Sequence, residues 1–201
     1  LHMLKNIKKN IKLNKCLFLG YDCKKTSLIN FLKSKKIKVT QYKNKVLSYK
    51  IAKNYDFIIS FGYRKIISKK IISKIKRPII NLHISYLPYN RGAYSNFWSF
   101  IDNTPKGVTI HEIDNGIDTG KIIYRKKINF KLKKRTTFQS TYKILISEVQ
   151  KLFKKHYRSI ILNNYTSKKQ AFRKRLRLKS DLPQIHSWNI SIQEFIKTYK
   201  T

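Results

Sequence analysis

The sequence predicts an α/β fold in which a mostly parallel sheet carries helices on both faces. Short apolar runs of strand length alternate with segments whose apolar residues recur every three or four positions, as on one face of a helix. The runs at 16–20, 56–62 and 78–83 are mostly apolar, which is typical of parallel strands buried on both faces. A chain of 201 residues suits one such domain with a small appendage.

The first half of the chain alternates regularly between the two patterns. The order is β-α-β-α-β-α-β, which predicts a parallel sheet because consecutive parallel strands need a crossover, usually a helix. The predicted strands are 16–20, 36–40, 56–62 and 78–83, and the predicted helices are 26–35, 46–54 and 66–75.

The second half breaks this rhythm. Pro88, Asn90 and Gly92 predict a loop over 86–93. The elements predicted after it are a short helix over 96–101, a hairpin over 107–130 that turns at 114–120, a long helix over 137–163 and a terminal helix over 188–199. We divide the chain into a main domain, 1–165, whose residues 1–3 look like a tag remnant, and a short basic extension, 166–201.

One segment of the extension has a distinctive pattern. Residues 171–180 alternate basic and apolar side chains, which predicts an edge strand. Such a strand could cover a functional site or pair between subunits. A solvated basic edge is the simpler alternative.

The charge of the chain is extreme but says little about function. Lys and Arg number 46 against nine Asp and Glu, so the formal net charge is +37. A basic surface attracts nucleic acid regardless of sequence. However, the lysines are spread along the chain and alanine occurs only at 52, 93 and 171, as an AT-rich coding sequence would produce. We favour coding bias and do not expect a nucleic-acid partner.

Targeting signals and cysteines indicate a cytoplasmic protein. No apolar run approaches the ~20 residues that span a bilayer, and no secretory signal peptide is recognisable. Cys16 and Cys23 show no metal-ligand spacing, and reduced thiols are the simple interpretation. We expect no membrane contact.

Acidic residues are scarce, so their clustering is informative. Glu112, Asp114 and Asp118 fall within seven residues. An Asp-rich turn explains the cluster structurally, since Asp-Asn-Gly is good turn chemistry. A carboxylate that orients a histidine is the functional alternative.

Asn81 and His83 end the fourth predicted strand. Ligands of open α/β sheets bind beyond the carboxyl ends of strands, and residues two apart on a strand point to the same side. An amide and an imidazole there can supply an oxyanion donor and a proton-transfer group. A histidine that merely bonds a loop carbonyl is the alternative.

Two motifs join these observations. Residues 81–93 read NLHISYLPYNRGA and resemble the N-x-H-x-S-x-L-P-x-x-R-G-A motif of formyltransferases that use 10-formyltetrahydrofolate. Residues 107–111 read GVTIH and 114–120 read DNGIDTG, which resemble that family's second motif. The resemblance covers about 56–130, although Ser95 stands where the family usually has Pro. It implies a Rossmann-like formyltransferase domain.

The resemblance implies three catalytic residues and no metal. Asn81 matches the amide that helps bind the formyl oxygen, and His83 matches the imidazole that assists proton transfer. Asp118 matches the carboxylate that sets the histidine. For the folate, the matched positions are Arg64, Lys65, Ile66 and Ile67 on one side, and Asp114, Asn115, Gly116 and Ile117 on the other.

The amine acceptor is less sharply implied. Glycinamide ribonucleotide formyltransferases carry a Gly-Ser-rich loop where residues 20–25 read GYDCKK. Methionyl-tRNA formyltransferases add a C-terminal barrel domain that does not fit in this chain. Sugar N-formyltransferases, commonly dimers, share the motifs and often have short C-terminal parts. We therefore expect a homodimeric enzyme that formylates a nucleotide-linked amino sugar, such as a dTDP-4-amino sugar.

Candidate contacts to that sugar follow the R-G-A motif. Tyr94, Asn96 and Trp98 are placed to touch it, although aromatic residues there could equally belong to the core. Two alternatives stay open: a methionyl-tRNA formyltransferase-like enzyme that lacks the C-terminal domain, and a basic nucleic-acid-binding protein on a formyltransferase scaffold.

Overall fold

A computed structural model of the chain describes residues 13–171 and 175–199. The expected tag remnant and part of the predicted edge strand lie outside these ranges. Eight strands are present in the described part: β1 Lys15–Gly20, β2 Lys38–Tyr42, β3 Phe57–Phe61, β4 Ile80–His83, β5 Arg91–Gly92, β6 Gly107–Glu112, β7 Ile122–Lys127 and β8 Leu176–Arg177.

Six strands form the central sheet in the order β2-β1-β3-β4-β6-β7. The pairs from β2 to β4 are parallel, and β6 joins antiparallel to both β4 and β7. The predicted α/β architecture, mostly parallel, is therefore confirmed. The hairpin of β6 and β7 is the antiparallel part, as the short connection between these two strands requires.

The helices agree with the predicted pattern. They are α1 Leu28–Ser34, α2 Tyr49–Ala52, α3 Lys69–Lys74, α4 Ser95–Ile101, α5 Phe138–Leu162 and α6 Ile192–Tyr199. The long helix α5 begins at a capping box in which the Thr137 hydroxyl accepts from the backbone N–H of Ser140.

Strand alternation builds a core on each side of the sheet. Cys16 and Phe18 of β1 pack with α1 and α5, whereas Leu17 and Leu19 pack against α2 and α3. All four side chains are fully buried. The sheet is thus covered on both faces, and its site-forming edge is the carboxyl end of β3 and β4.

Two segments differ from the prediction in ways that affect the site. Helix α3 begins at Lys69, so Ile66 and Ile67 belong to the loop that follows β3. The predicted loop 86–93 contains the two-residue strand β5, which pairs in parallel with β8 of the extension. Within the predicted edge strand 171–180, residues 176 and 177 therefore pair with residues 91 and 92 of the same chain.

The extension packs onto the main domain through α6. Ile192 is fully buried with Phe97 of α4 and Phe138 of α5, in a third apolar cluster. Arg177 of β8 bonds both carboxylate oxygens of Asp102, at 2.6 and 2.7 Å, and its guanidinium lies 3.8 Å above the Trp98 ring.

Candidate active site

The site is assembled where β4 meets the antiparallel strand β6. Asn81 and His83 alternate with buried residues on β4, so both face the same side of the sheet. The β4–β6 register places His111 directly opposite Asn81. A register shift in β6–β7 lies between Ile110 and His111, and bulges of this kind commonly re-aim side chains beside active sites.

The loop between β6 and β7 brings Asp118 onto these residues. Asp118 has a φ of +52°, in the left-handed region that few non-glycine residues adopt. Its Oδ1 accepts from Asn81 Nδ2 at 3.3 Å and lies 3.5 Å from His111 Nε2. Its Oδ2 accepts from the Gly92 N–H at 2.9 Å and lies 3.7 Å from His83 Nε2. One carboxylate therefore contacts all four groups.

His111 fixes the orientation of the Asn81 amide. His111 Nδ1 lies 2.7 Å from the Glu112 carbonyl oxygen, which can only accept, so Nδ1 carries the proton. In the neutral ring Nε2 must then accept, and Asn81 Nδ2 donates to it at 3.0 Å. Sequence reasoning assigned no role to His111, although it ends the G-V-T-I-H motif; only the strand register reveals its contact.

The His83 side chain is 11% exposed, and its buried Nε2 has no hydrogen-bond partner among the described residues. Burial lowers the pKa of His83 below its ordinary 6.5, against the opposing effect of Asp118 and a hydrogen bond to the Asn90 backbone. At neutral pH the resting ring is therefore uncharged. Its Nε2 is a free base beside a carboxylate.

Asp118 stays ionised in this environment. Burial alone would raise its pKa. The positive charges that His83 and His111 carry when protonated, at the acid pH where this carboxyl titrates, and the Gly92 N–H together lower the pKa below its ordinary value. The negative charge of Asp118 therefore stabilises the imidazolium that forms when His83 accepts a proton.

A cleft opens beside these residues. Its cavity volume is about 160 Å³, below the roughly 300–1,000 Å³ typical of small-molecule sites. Its wall contains Asn81, His111 and Asp118. The other lining residues are Ser60, Tyr63, Lys65, Ile66, Ile67, Ile113, Asp114, Asn115, Gly116 and Ile117.

The two segments expected to hold the folate thus face each other across one cleft. Ile66 is 72% exposed, Ile117 is 38% exposed, and Ile67 lies beneath them as part of the core. The Oδ1 of Asp114 bonds within its own loop, where it accepts from the Gly116 N–H and from the Thr119 hydroxyl. Arg64 is exposed and does not line the cleft. Its positive charge lies near Tyr142 and partly offsets the rise that burial causes in the pKa of that tyrosine.

Of the three residues predicted to contact the sugar, two are buried in the structure. Asn96 and Trp98 are only 6% and 3% exposed, because every residue of the short helix α4 is buried. Asn96 Nδ2 donates to the Phe138 carbonyl and to the Thr141 hydroxyl, so it joins α4 to α5. Tyr94 remains partly exposed and stacks on Trp188, with ring centroids 5.5 Å apart.

Two features are absent from residues 13–171 and 175–199. No helix there is both long and apolar enough to cross a bilayer. No three His, Cys, Asp or Glu side chains in these ranges are grouped as metal ligands would be.

The fold and the site define a transferase domain of the α/β class. Residues 19–155 match the formyl transferase family, and the chain belongs to that family. The resemblance noted in the two motifs is thereby confirmed.

Two curated proteins from different branches of the family are similar to this chain. The dTDP-4-amino-4,6-dideoxyglucose formyltransferase of Mycobacterium tuberculosis is 30% identical over 141 residues, which are 70% of this chain and 58% of that protein. The chain thus spans little more than half of that curated relative. The methionyl-tRNA formyltransferase of Thermodesulfovibrio yellowstonii is 43% identical over only 77 residues, 38% of this chain and 25% of that one.

A solved structure matches nearly the whole fold. The formyltransferase PseJ of Anoxybacillus kamchatkensis superposes with a TM-score of 0.82 and is 39% identical. The match covers 90% of this chain and 97% of that one. That crystal structure contains UDP-4,6-dideoxy-4-formamido-L-AltNAc and tetrahydrofolate.

Proposed function

We propose that this protein transfers a formyl group from 10-formyltetrahydrofolate to the amino group of a nucleotide-linked amino sugar. The observation that carries the proposal is the position of Asp118 between Asn81, which lines the cleft with it, and His83, which lies behind the cleft wall. An amide donor, an uncharged imidazole and an ionised carboxylate are the groups that acyl transfer to an amine requires.

The cleft suits the folate donor. A flat ring system would lie between the aliphatic side chains of Ile66 and Ile117, where the backbone of 114–117 can bond its edge. Lys65 stands at the same cleft and suits the donor's carboxylates. The donor supplies the formyl carbon that the amine attacks.

Asn81 would bind the formyl oxygen. Its Nδ2 already donates to His111 at 3.0 Å, whereas its second bond, to Asp118, is longer at 3.3 Å. We infer that the formyl oxygen takes over this second donor as negative charge develops on it. A donor aimed in advance at such charge contributes about 100-fold to 1,000-fold in rate.

His83 would move the proton. The attacking nitrogen becomes positively charged as it bonds to the formyl carbon, and the unpartnered Nε2 of His83 is the base that accepts its proton. The imidazolium so formed is stabilised by Asp118 Oδ2, 3.7 Å away. It then donates that proton to the leaving nitrogen of the folate, which restores the neutral ring.

The comparisons favour a pyrimidine nucleotide with a 4-amino-6-deoxy sugar. PseJ, similar over almost its whole length, was solved with a UDP-linked 4-formamido sugar, and the mycobacterial relative acts on a dTDP-linked 4-amino sugar. We place UDP-linked sugars first because the PseJ match is longer and more identical. We further propose a cytoplasmic homodimer.

A product screen tests the proposal. Purified protein and 10-formyltetrahydrofolate are incubated with a UDP-linked 4-amino sugar, a dTDP-linked 4-amino sugar or charged initiator tRNA. We expect a mass increase of one CO on a sugar nucleotide and none on the tRNA. Efficient formylation of the tRNA alone would reverse the assignment of the acceptor, and salt-sensitive nucleic-acid binding without transfer would favour the non-enzyme alternative.

A further inference from the structure

The C-terminal extension reaches the main chain of Asp118, the candidate catalytic residue, through Gln170. The Nε2 of Gln170 donates to the carbonyl oxygens of Asp118 and of Gly120, both at 2.9 Å. Both partners can only accept, so the amide must turn its NH₂ toward them. A single side chain thereby joins the residues before and after Thr119 of the D-T-G turn.

The position of Gln170 is itself fixed by the sheet. Two residues earlier, Lys168 pairs with Ile122 through two backbone hydrogen bonds of 2.8 and 2.9 Å. Ile122 begins β7 directly after the turn that Gln170 contacts. The extension is therefore anchored to one end of the turn and bonded to its interior.

Asp118 needs such support because of its backbone. A φ of +52° places a side-chain-bearing residue in the left-handed region, which persists only where surrounding contacts determine it. Gln170 bonds the main chain of Asp118, whereas Asn81 and Gly92 bond its carboxylate. Of these three residues, Gln170 alone lies outside residues 19–155, the region that matches the family.

A second contact of the extension acts on the Asp118 carboxylate indirectly, through the residues next to Gly92. Arg177 of β8 accepts a backbone hydrogen bond from Ala93 at 2.8 Å, which holds β5 in place. The adjacent Gly92 N–H donates to Asp118 Oδ2. Gln170 thus contacts Asp118 directly at its carbonyl, and Arg177 supports its carboxylate indirectly.

We propose that Gln170 is a positioning residue that sets the carboxylate of Asp118 against His83 and Asn81. The proposal rests on the catalytic role of Asp118 stated under Proposed function. It makes the extension part of the catalytic centre rather than an appendage.

Gln170→Met tests the proposal because it keeps the length of the side chain and removes both donors. We expect kcat to fall roughly 10-fold to 100-fold with much smaller changes in KM, since a misplacement of about 1 Å costs on the order of 100-fold. Gln193→Met, at an exposed glutamine of α6 in the same extension, is the matched control and should leave kcat unchanged.

Gln170→Glu supplies a readout that a merely structural role would not move. An ionised carboxylate opposes both carbonyl oxygens, whereas a protonated one can donate to one of them. When one preparation of each protein is assayed over a range of pH, the ratio of variant to wild-type kcat should therefore rise as the pH falls, because the introduced glutamate side chain becomes protonated. A ratio that is independent of pH would contradict the assignment.

Hydrogen exchange separates this inference from the proposed function. In Gln170→Met, amides of 113–120 should exchange faster than in wild type or in Gln193→Met. Normal kcat and normal exchange in Gln170→Met, alongside an inactive Asp118→Asn, would overturn the positioning role alone. If wild type gives no formyl transfer, the proposed function fails, and the exchange rates still decide whether Gln170 holds the turn.

Discussion

The side-chain amide of Asn81 donates to His111 Nε2 at 3.0 Å across the β4–β6 pair. This bond determines which way the amide points, because the other ring nitrogen of His111 is committed to the Glu112 carbonyl. A residue absent from the expected catalytic set therefore controls the orientation of one that belongs to it.

Replacing His111 should impair catalysis through Asn81. His111→Leu removes the acceptor and frees the amide to rotate, so we expect kcat to fall by about 10-fold to 100-fold, less than the loss of the amide donor itself. His111→Gln keeps an acceptor oxygen and should recover part of that loss. Steady-state kinetics decide the matter, and equal kcat values for both variants would show that orientation of Asn81 is not the cause.

The activity should depend on pH through His83. Burial lowers the pKa of this base below 6.5, so the neutral form is present at and above neutral pH. We expect kcat/KM to decline as pH falls, with a midpoint below 6.5, because protonated His83 cannot accept the amine's proton. A pH–rate profile measures this, using an amine acceptor whose own titration is recorded separately. An acid limb centred above 6.5 would be incompatible with the buried, neutral ring.

Asn96 should matter for stability and not for substrate binding. Its Nδ2 bonds join α4 to α5, and Asn96→Ala leaves the Phe138 carbonyl and the Thr141 hydroxyl without this donor. The expected cost is about 1–3 kcal/mol in the free energy of unfolding. Chemical denaturation measures that cost, and the KM of the sugar nucleotide should remain near the wild-type value. A large rise in KM in folded Asn96→Ala would restore Asn96 as a substrate contact.

Gly92 should tolerate no side chain. Its φ is +91°, and a Cβ would lie 2.3 Å from the Arg177 carbonyl oxygen. Gly92→Ala should lower Tm and kcat together, because it separates β5 from β8 and displaces the N–H that donates to Asp118. Arg177→Met leaves the backbone pairing intact, so it should lower Tm alone, through loss of the Asp102 and Trp98 contacts.

Sequence pattern and motif predicted much of this molecule. The apolar runs at 16–20, 56–62 and 78–83 correspond to β1, β3 and β4 because buried parallel strands are apolar on both faces. The two motifs contain Asn81 and Asp118, whose side chains meet in the structure although they stand 37 positions apart.

The remaining features depend on tertiary contacts that leave no local signal. Strands β5 and β8 have two residues each, too few for a period, and they meet only because the extension folds back. Helix α4 is buried on every side, so spacing could not reveal that Asn96 and Trp98 point inward. The contact of His111 follows from strand register, which the motif does not specify.

The most direct test follows formyl transfer by wild type and Asp118→Asn side by side. Each protein is given 10-formyltetrahydrofolate and a UDP-linked 4-amino sugar, and the sugar nucleotide is analysed by mass spectrometry. We expect wild type to add one CO and the variant to be slower by at least about 100-fold while keeping the wild-type fold. Equal turnover by the two proteins would contradict the proposed role of Asp118, and the absence of any formylated sugar nucleotide with wild type would contradict the proposed function.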